Sequence, residues 1–249
     1  MPRFFTEEVF PDSSDLSSIK LVGDNAFHLV KVLRAKPGES VTVVSGDGRI
    51  FDCSYLESLG DNAQLSAILK IETVTDPADK KCRVTLVQGM PKGKKTDLIL
   101  QKATELGADR IIFVYMDHSI PVMDGSGEGK LARFRKICEE AAGQSCRNTV
   151  PEVLILPGLS DAIPFLKENE TCFACYEAET RLRLPEMLGR LSSSIGFLIG
   201  PEGGISPREL TLLQSAGIPT VSLGDRILRT ETAPLAVLSM ILYETELKS

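Results

Sequence analysis

From residue 83 onward, short apolar runs alternate with amphipathic segments, and this alternation restricts the fold more than any other feature of the chain. Two parallel strands need a crossover connection, usually a helix, so the pattern predicts an α/β architecture built on a parallel sheet. The expected strands are RVTLVQGM (83–90), RIIFVYM (110–116), EVLIL (152–156), TCFACY (171–176), GFLIG (196–200) and PTVSL (219–223). Between them, DLILQKATEL is predicted as a helix that Thr96 caps and Gly107 stops. KLARFRKICEEAA (130–142) turns Leu131, Phe134, Ile137 and Cys138 inward, and DAIPFLKEN is a short helix. Ser206-Pro207-Arg208-Glu209 carries a cap, a first-turn proline and a capping-box glutamate, so a helix starts there. ETAPLAVLSMILYETEL (231–247) forms the last helix, with Pro234 tolerated in its first turn.

The first part of the chain reads differently. Residues 1–72 are mostly strands and turns, with a hairpin signal at Gly46-Asp47-Gly48. One helix is expected there, with Asp24 capping NAFHLVKVLR and Phe27, Val30 and Leu33 on its inner face. The polar, proline-bearing TVTDPADKKC (73–82) then predicts a linker, giving domains at 1–72 and 73–249.

No apolar run approaches the roughly 20 residues that span a bilayer, and MPRFFTEEVF lacks the layout of a secretory signal, so a cytoplasmic protein is expected. The six cysteines are irregularly spaced. Cys172-Phe173-Ala174-Cys175 has a redox or half-zinc spacing, but no second pair accompanies it and only His28 and His118 could assist. A buried strand is the simpler reading, and no metal is expected. The net charge of −6 argues against a long RNA-wrapping surface, although PKGKK (91–95) and RFRK (133–136) are locally basic.

Two glycine motifs fail on inspection. DGSGEG (124–129) has the glycines of a dinucleotide loop, but Pro121 stands where its strand should be and no acidic strand end follows, so a surface loop is expected. GMPKGK (89–94) is one residue short of a P-loop and has Lys95 where magnesium needs a hydroxyl. GPEGGIS (200–206) is different. It leaves the carboxyl end of a strand and opens onto a capped helix, where open α/β sheets bind ligands. A tight turn that merely needs glycine explains it equally well. LGDRILRTETA also joins a strand to a helix, so both loops should emerge on one edge of the sheet and enclose a pocket. Its crowded polar groups would be costly to bury without a ligand or a second subunit.

GPEGGIS followed by LGDRILRTETA resembles the RsmE-type 16S ribosomal RNA (uracil-N3) methyltransferases of the SPOUT superfamily. PRFF, HLVKVLRAKPGE, KGKKTDLILQKATELGADRI and AAGQSCRNTVPEV match other family signatures in the same order, so the resemblance covers nearly the whole chain. It implies a SPOUT-type parallel sheet with a C-terminal trefoil knot, preceded by a small PUA-like β-barrel. It also implies bound S-adenosyl-L-methionine, a homodimer, and 16S ribosomal RNA, in the assembled small subunit, as the partner. By motif, the cofactor should contact Gly200, Pro201, Glu202 and Gly203, then Leu223, Gly224, Ile227 and Leu228, with Tyr176 and Glu177 as weaker candidates. The family pattern also leads one to expect an arginine near His118, where this chain has DHSIP.

Uracil N3 must lose a proton before it attacks a methyl group, so a base and a cation are needed. Arg229 is the expected cation; Glu231 or Glu202 is the base, or else orients an arginine. Arg3, Lys31, Arg34, Lys92, Lys94, Lys95 and Arg147 are expected at RNA phosphates. Two other readings stand beside this one: a SPOUT enzyme for another RNA or base position, and an RNA-binding module without a cofactor.

Overall fold

The computed structural model describes residues 1–11, 16–61, 64–77, 82–120, 127–188 and 193–248. It divides into two compact units, one of Met1–Asp79 with Ala142–Thr149, the other of Lys80–Ala141 with Val150–Ser249.

The first unit is a curled half-barrel. Strands β1 (Arg3–Phe5), β2 (Ser18–Val22), β3 (Ser40–Val44), β4 (Ile50–Leu59) and β5 (Ser66–Thr75) form a sheet of order β1-β3-β4-β5-β2, antiparallel except at β1-β3. Register shifts at Asp52/Cys53 and Tyr55/Glu57 bend β4, as an extra residue in one strand does. The concave side buries Phe4, Leu21, Val43, Phe51 and Leu69. The β3–β4 hairpin turns where Gly46-Asp47-Gly48 predicts, and a Cβ on Gly46 would lie 2.4 Å from the Glu7 carbonyl oxygen. Helix α1 (Gly23–Phe27) departs from expectation. Val22, not Asp24, is its cap residue, and the chain passes at once into a π-helical turn over His28–Val32. Ala26 and Leu29 are buried and Val30 packs against the core as expected, while Phe27 and Leu33 are exposed.

The second unit holds β6 (Arg83–Gly89), β7 (Arg110–Val114), β8 (Glu152–Leu156), β9 (Thr171–Cys175), β10 (Ser194–Ile199) and β11 (Thr220–Val221). They make a wholly parallel sheet of order β11-β9-β10-β6-β7-β8. Helices α2 (Lys95–Glu105), α3 (Gly127–Gln144), α4 (Leu159–Lys167), α5 (Leu184–Leu188), α6 (Pro207–Ser215) and α7 (Ala233–Leu242) complete the chain. Separate apolar clusters lie on its two faces, one around Leu86, Phe113, Phe173 and Phe197, the other around Val87, Ile112, Ala174 and Leu198. Burial on both faces is what the uninterrupted apolar strands required.

Two local expectations need correction, while the strand expected over the cysteine pair is present. Lys94 is the cap position of α2; Thr96 sits inside the first turn, its hydroxyl donating to the Gly93 carbonyl at 3.3 Å. Gly127 and Gly129 belong to α3 rather than to a loop, while Pro121 and residues 124–126 lie outside the described residues. Cys172 and Cys175 are strand residues of β9, and burial raises the pKa of both thiols. Among the described residues no group of three or more His, Cys, Asp or Glu could hold a metal ion, and no helix is long and apolar enough to cross a membrane.

Candidate functional site

Because all six strands of the second sheet are parallel, the loops after β9, β10 and β11 leave at the same edge. There they enclose a cleft of about 730 Å³, within the range of small-molecule sites. Gly200, Pro201, Glu202 and Gly203 line it from one side, and Leu223, Gly224, Ile227, Leu228 and Arg229 from another. Tyr176 and Glu177 lie at the end of β9 in the same wall. The sequence did not single out Glu179, Thr180 or Arg183, which also line the cleft.

The first loop is rigid for local reasons. Ser206 accepts from the Glu209 amide at 3.2 Å, and Glu209 Oε2 accepts from the Ser206 amide at 2.9 Å, completing the capping box. Glu209 is only 1% exposed, and its other oxygen accepts from the Asp117 amide at 2.9 Å. Asp117 in turn receives the Ser206 hydroxyl at 2.6 Å and the Arg208 guanidinium. Arg208 and Ser206 together bring the Asp117 carboxyl down to about 2. The arginine expected near His118 is absent from 117–121, and Arg208 of α6 pairs with the neighbouring Asp117. The glycines serve the turn itself. A Cβ on Gly200 would come within 3.1 Å of Ile205, and one on Gly203 within 2.7 Å of His118.

In the second loop Gly224 has φ +106 with open space around its Cα, so its backbone is accessible from the cleft. The Arg229 carbonyl accepts from the Thr232 and Ala233 amides at 2.8 and 2.9 Å, which starts α7. Among the described residues, the Arg229 guanidinium has neither a hydrogen bond nor an ion pair.

Lys95 occupies a place the sequence did not suggest. It is the first residue of α2, where the helix dipole disfavours a cation. Two carboxylates offset that, with Nζ 3.0 Å from Glu202 Oε1 and 3.1 Å from Glu231 Oε2. The Glu231 contact is an ion pair without hydrogen-bond alignment, since Oε2 is buried and lacks such a partner. Hydrogen bonding to Glu202 leads the effects that raise the Lys95 pKa. Burial pushes Glu202 up, but the Lys92 amide at 3.0 Å and the Lys95 ammonium outweigh it, and its pKa falls. Lys95 therefore sits between the two candidate bases. Glu231 does not itself line the cleft but reaches it through this bridge.

The other basic residues are divided between the units. Lys92 and Lys94 are exposed on the second, Lys31 and Arg34 on the first. Arg3 and Arg147 come together within the first unit, where Arg3 Nη1 donates to the Arg147 carbonyl at 3.1 Å and to Asn148.

An adenosyl sulfonium carrying an amino-acid tail needs an apolar wall, backbone donors and acceptors, and charged groups at a rim. Ile199, Leu223, Leu228 and Ala233 provide the wall, the 223–228 backbone the polar atoms, and Glu177, Arg183 and Arg226 the charges. The residues present fit S-adenosylmethionine.

Residues 78–242 match the family model described as RNA methyltransferase domain, and residues 21–65 the one described as RNA methyltransferase PUA domain. The chain is 32% identical over 254 residues to the Bacillus subtilis protein named ribosomal RNA small subunit methyltransferase E, covering 99% of this chain and 98% of that one. It is 30% identical over 244 residues to the Mycobacterium bovis protein of the same name, covering 95% and 90%. Among solved structures, the methyltransferase E of Neisseria gonorrhoeae bound to S-adenosyl methionine superposes with a TM-score of 0.83 at 32% identity, covering 97% of each chain.

Proposed function

Since the chain belongs to the RNA methyltransferase family, at full length and alongside the ribosomal RNA small subunit methyltransferases E, we propose that it methylates N3 of a uridine in 16S ribosomal RNA, with S-adenosylmethionine as donor. The observation that carries this is the cleft itself. Two loops at one sheet edge combine an apolar wall, an exposed backbone and an arginine whose guanidinium is uncommitted.

When bound, the sulfonium supplies an electrophilic methyl carbon. Gly200–Gly203 and Leu223–Leu228 would hold the cofactor, chiefly through backbone atoms. Arg229 donates to a uracil carbonyl oxygen and stabilises the anion left when the N3 proton departs. Glu231 and Glu202 are the carboxylates that can take that proton. Both are paired with Lys95, and of the two only Glu202 lines the cleft. Positioning does most of the remaining work, as an in-line displacement demands little else.

The finer architecture belongs to the same proposal. A trefoil knot is supported by the path after β11: that strand lies beyond β9, yet Thr230 returns to donate to the Gly200 carbonyl at 2.7 Å. A homodimer is supported by Met240 and Tyr243, apolar and exposed at the end of α7. The 1–72 domain, with Lys31 and Arg34, and Lys92 and Lys94 of the second unit contact phosphates. A chain of net charge −6 does this best on a folded RNA surface such as the assembled small subunit, in the cytoplasm.

Mass spectrometry of 16S ribosomal RNA nucleosides with and without this protein tests the reading. Loss of one N3-methyluridine on deletion is expected; an unchanged nucleoside profile overturns it. Calorimetry with S-adenosylhomocysteine separates the enzyme from a cofactor-free RNA-binding module, which would show no heat.

A further inference from the structure

Among the described residues of the parallel sheet, Gln88 is a fully buried polar side chain at the site's edge. It is the penultimate residue of β6, fully buried, and paired in register between Phe113 of β7 and Ile199 of β10. Its Nε2 donates to Thr230 Oγ1 at 2.9 Å and to the Gly89 carbonyl at 3.1 Å, with the Gly200 carbonyl at 3.4 Å. The Thr230 hydroxyl passes its own proton on to the Gly200 carbonyl at 2.7 Å. One amide group therefore fastens three pieces of backbone: the end of β6, the start of the glycine-rich loop and the polar loop before α7.

The orientation of that amide is determined by its neighbours. Turning it over would set Oε1 against the carbonyls of Gly89 and Gly200. As it stands, Oε1 faces away and has no hydrogen-bond partner. An orphaned buried acceptor costs about 1–3 kcal/mol, and an apolar side chain of equal volume would avoid the cost. Its hydrogen bonds act on the cleft, because Gly200 and Thr230 both line the cleft while Gln88 lies behind it.

We propose that Gln88 is a positioning residue for the methyl-donor site: through Thr230 it holds the two loops at their binding separation before any ligand arrives. A cleft already held at that separation spares the ligand the ordering cost of setting it. The inference rests on the methyltransferase reading above, and the following experiment separates the two.

Full-length wild type, Gln88→Met, Thr230→Val, Thr230→Ser and the Gln88→Met/Thr230→Val double variant are compared by calorimetry with S-adenosylhomocysteine and by thermal melting. Gln88→Met keeps the side-chain volume and removes both the donor and the orphan. Affinity for S-adenosylhomocysteine is expected to fall about tenfold or more while the melting midpoint stays level or rises. Thr230→Val should show a similar loss, Thr230→Ser little, and the double variant no more than either single change, because the two groups act as one link. In ligand-free protein, hydrogen exchange at the Thr232 and Ala233 amides should quicken in Gln88→Met. At saturating RNA, KM for the donor should rise more than kcat falls. Wild-type affinity in Gln88→Met with unchanged amide exchange overturns the proposal, as do additive losses in the double variant. If Gln88→Met does not fold, the contrast between Thr230→Val and Thr230→Ser decides, and equal affinities there overturn it. Wild type that binds no S-adenosylhomocysteine instead refutes the cofactor reading, whereas the exchange measurement still reports on the link.

Discussion

Replacing Lys95 with methionine tests whether the carboxylates beside the cleft depend on a shared cation. The substitution keeps the stem and removes the ammonium that lies 3.0 Å from Glu202 and 3.1 Å from Glu231, among side chains 32%, 26% and 14% exposed. At such spacings each attraction is roughly 5 kcal/mol at an effective dielectric of about 20, before desolvation is counted. A solvated pair nets about 0–1 kcal/mol, while stripping one member from a buried pair costs about 3–5. Exposure between those limits places the loss for Lys95→Met at about 1–3 kcal/mol, measurable by urea unfolding near pH 7.5. The pH dependence is the sharper check. Glu202 has a depressed pKa in the folded chain, so its contribution is complete above its unfolded value of about 4.3 and is lost as pH falls through the folded one. Lys95 has a raised pKa, so its contribution is complete below about 10.4 and is lost only as pH climbs past the folded value. The stability gap between wild type and variant should therefore be flat from about pH 5 to 10 and close at either end. A gap that is absent, or that ignores acidification, would refute the bridge and return Lys95 to solvent.

Other parts of the site make separate predictions. Gly89→Ala would place a Cβ 2.5 Å from the backbone nitrogen of Pro201, so the glycine-rich loop must shift; affinity for S-adenosylhomocysteine should fall at least about tenfold by calorimetry. Glu209→Ala strips an acceptor from the amides of Ser206 and Asp117, and urea unfolding should show a loss of about 2–4 kcal/mol. Asp117→Asn should remove an acid-sensitive contribution that in wild type is full above about pH 3.9 and lost as pH falls through about 2, read from unfolding midpoints across an acid series. Arg229→Ala should lower methyl transfer while S-adenosylhomocysteine binds as before; equal loss of both would show that the arginine holds the cofactor instead.

Local chemistry made parts of this molecule legible in the sequence. Ser206, Pro207 and Glu209 announce their helix because the groups that cap it are neighbours in the chain. The apolar strands were legible because burial on both faces leaves few polar positions. The inner face of 24–33 was misread because the switch from α to π winding at His28 alters the period on which such a reading depends. Lys95 was read with the basic residues expected at RNA phosphates, as its two carboxylates are remote in sequence and only the fold brings them close. Gln88 was visible as a polar residue in an apolar strand, but its partners are two loops from far down the chain.

The order of the parallel sheet has a consequence for biosynthesis. Its two central strands are β6 and β10, and Gln88, already beside Phe113, finds its second neighbour at Ile199. Nothing emerging from a ribosome before the final quarter of the chain can assemble the cleft, whose lining runs to Ala233. Unfinished chains are therefore incapable of sequestering methyl donor, and pairing across so long a separation makes ordering of the second unit slow and late.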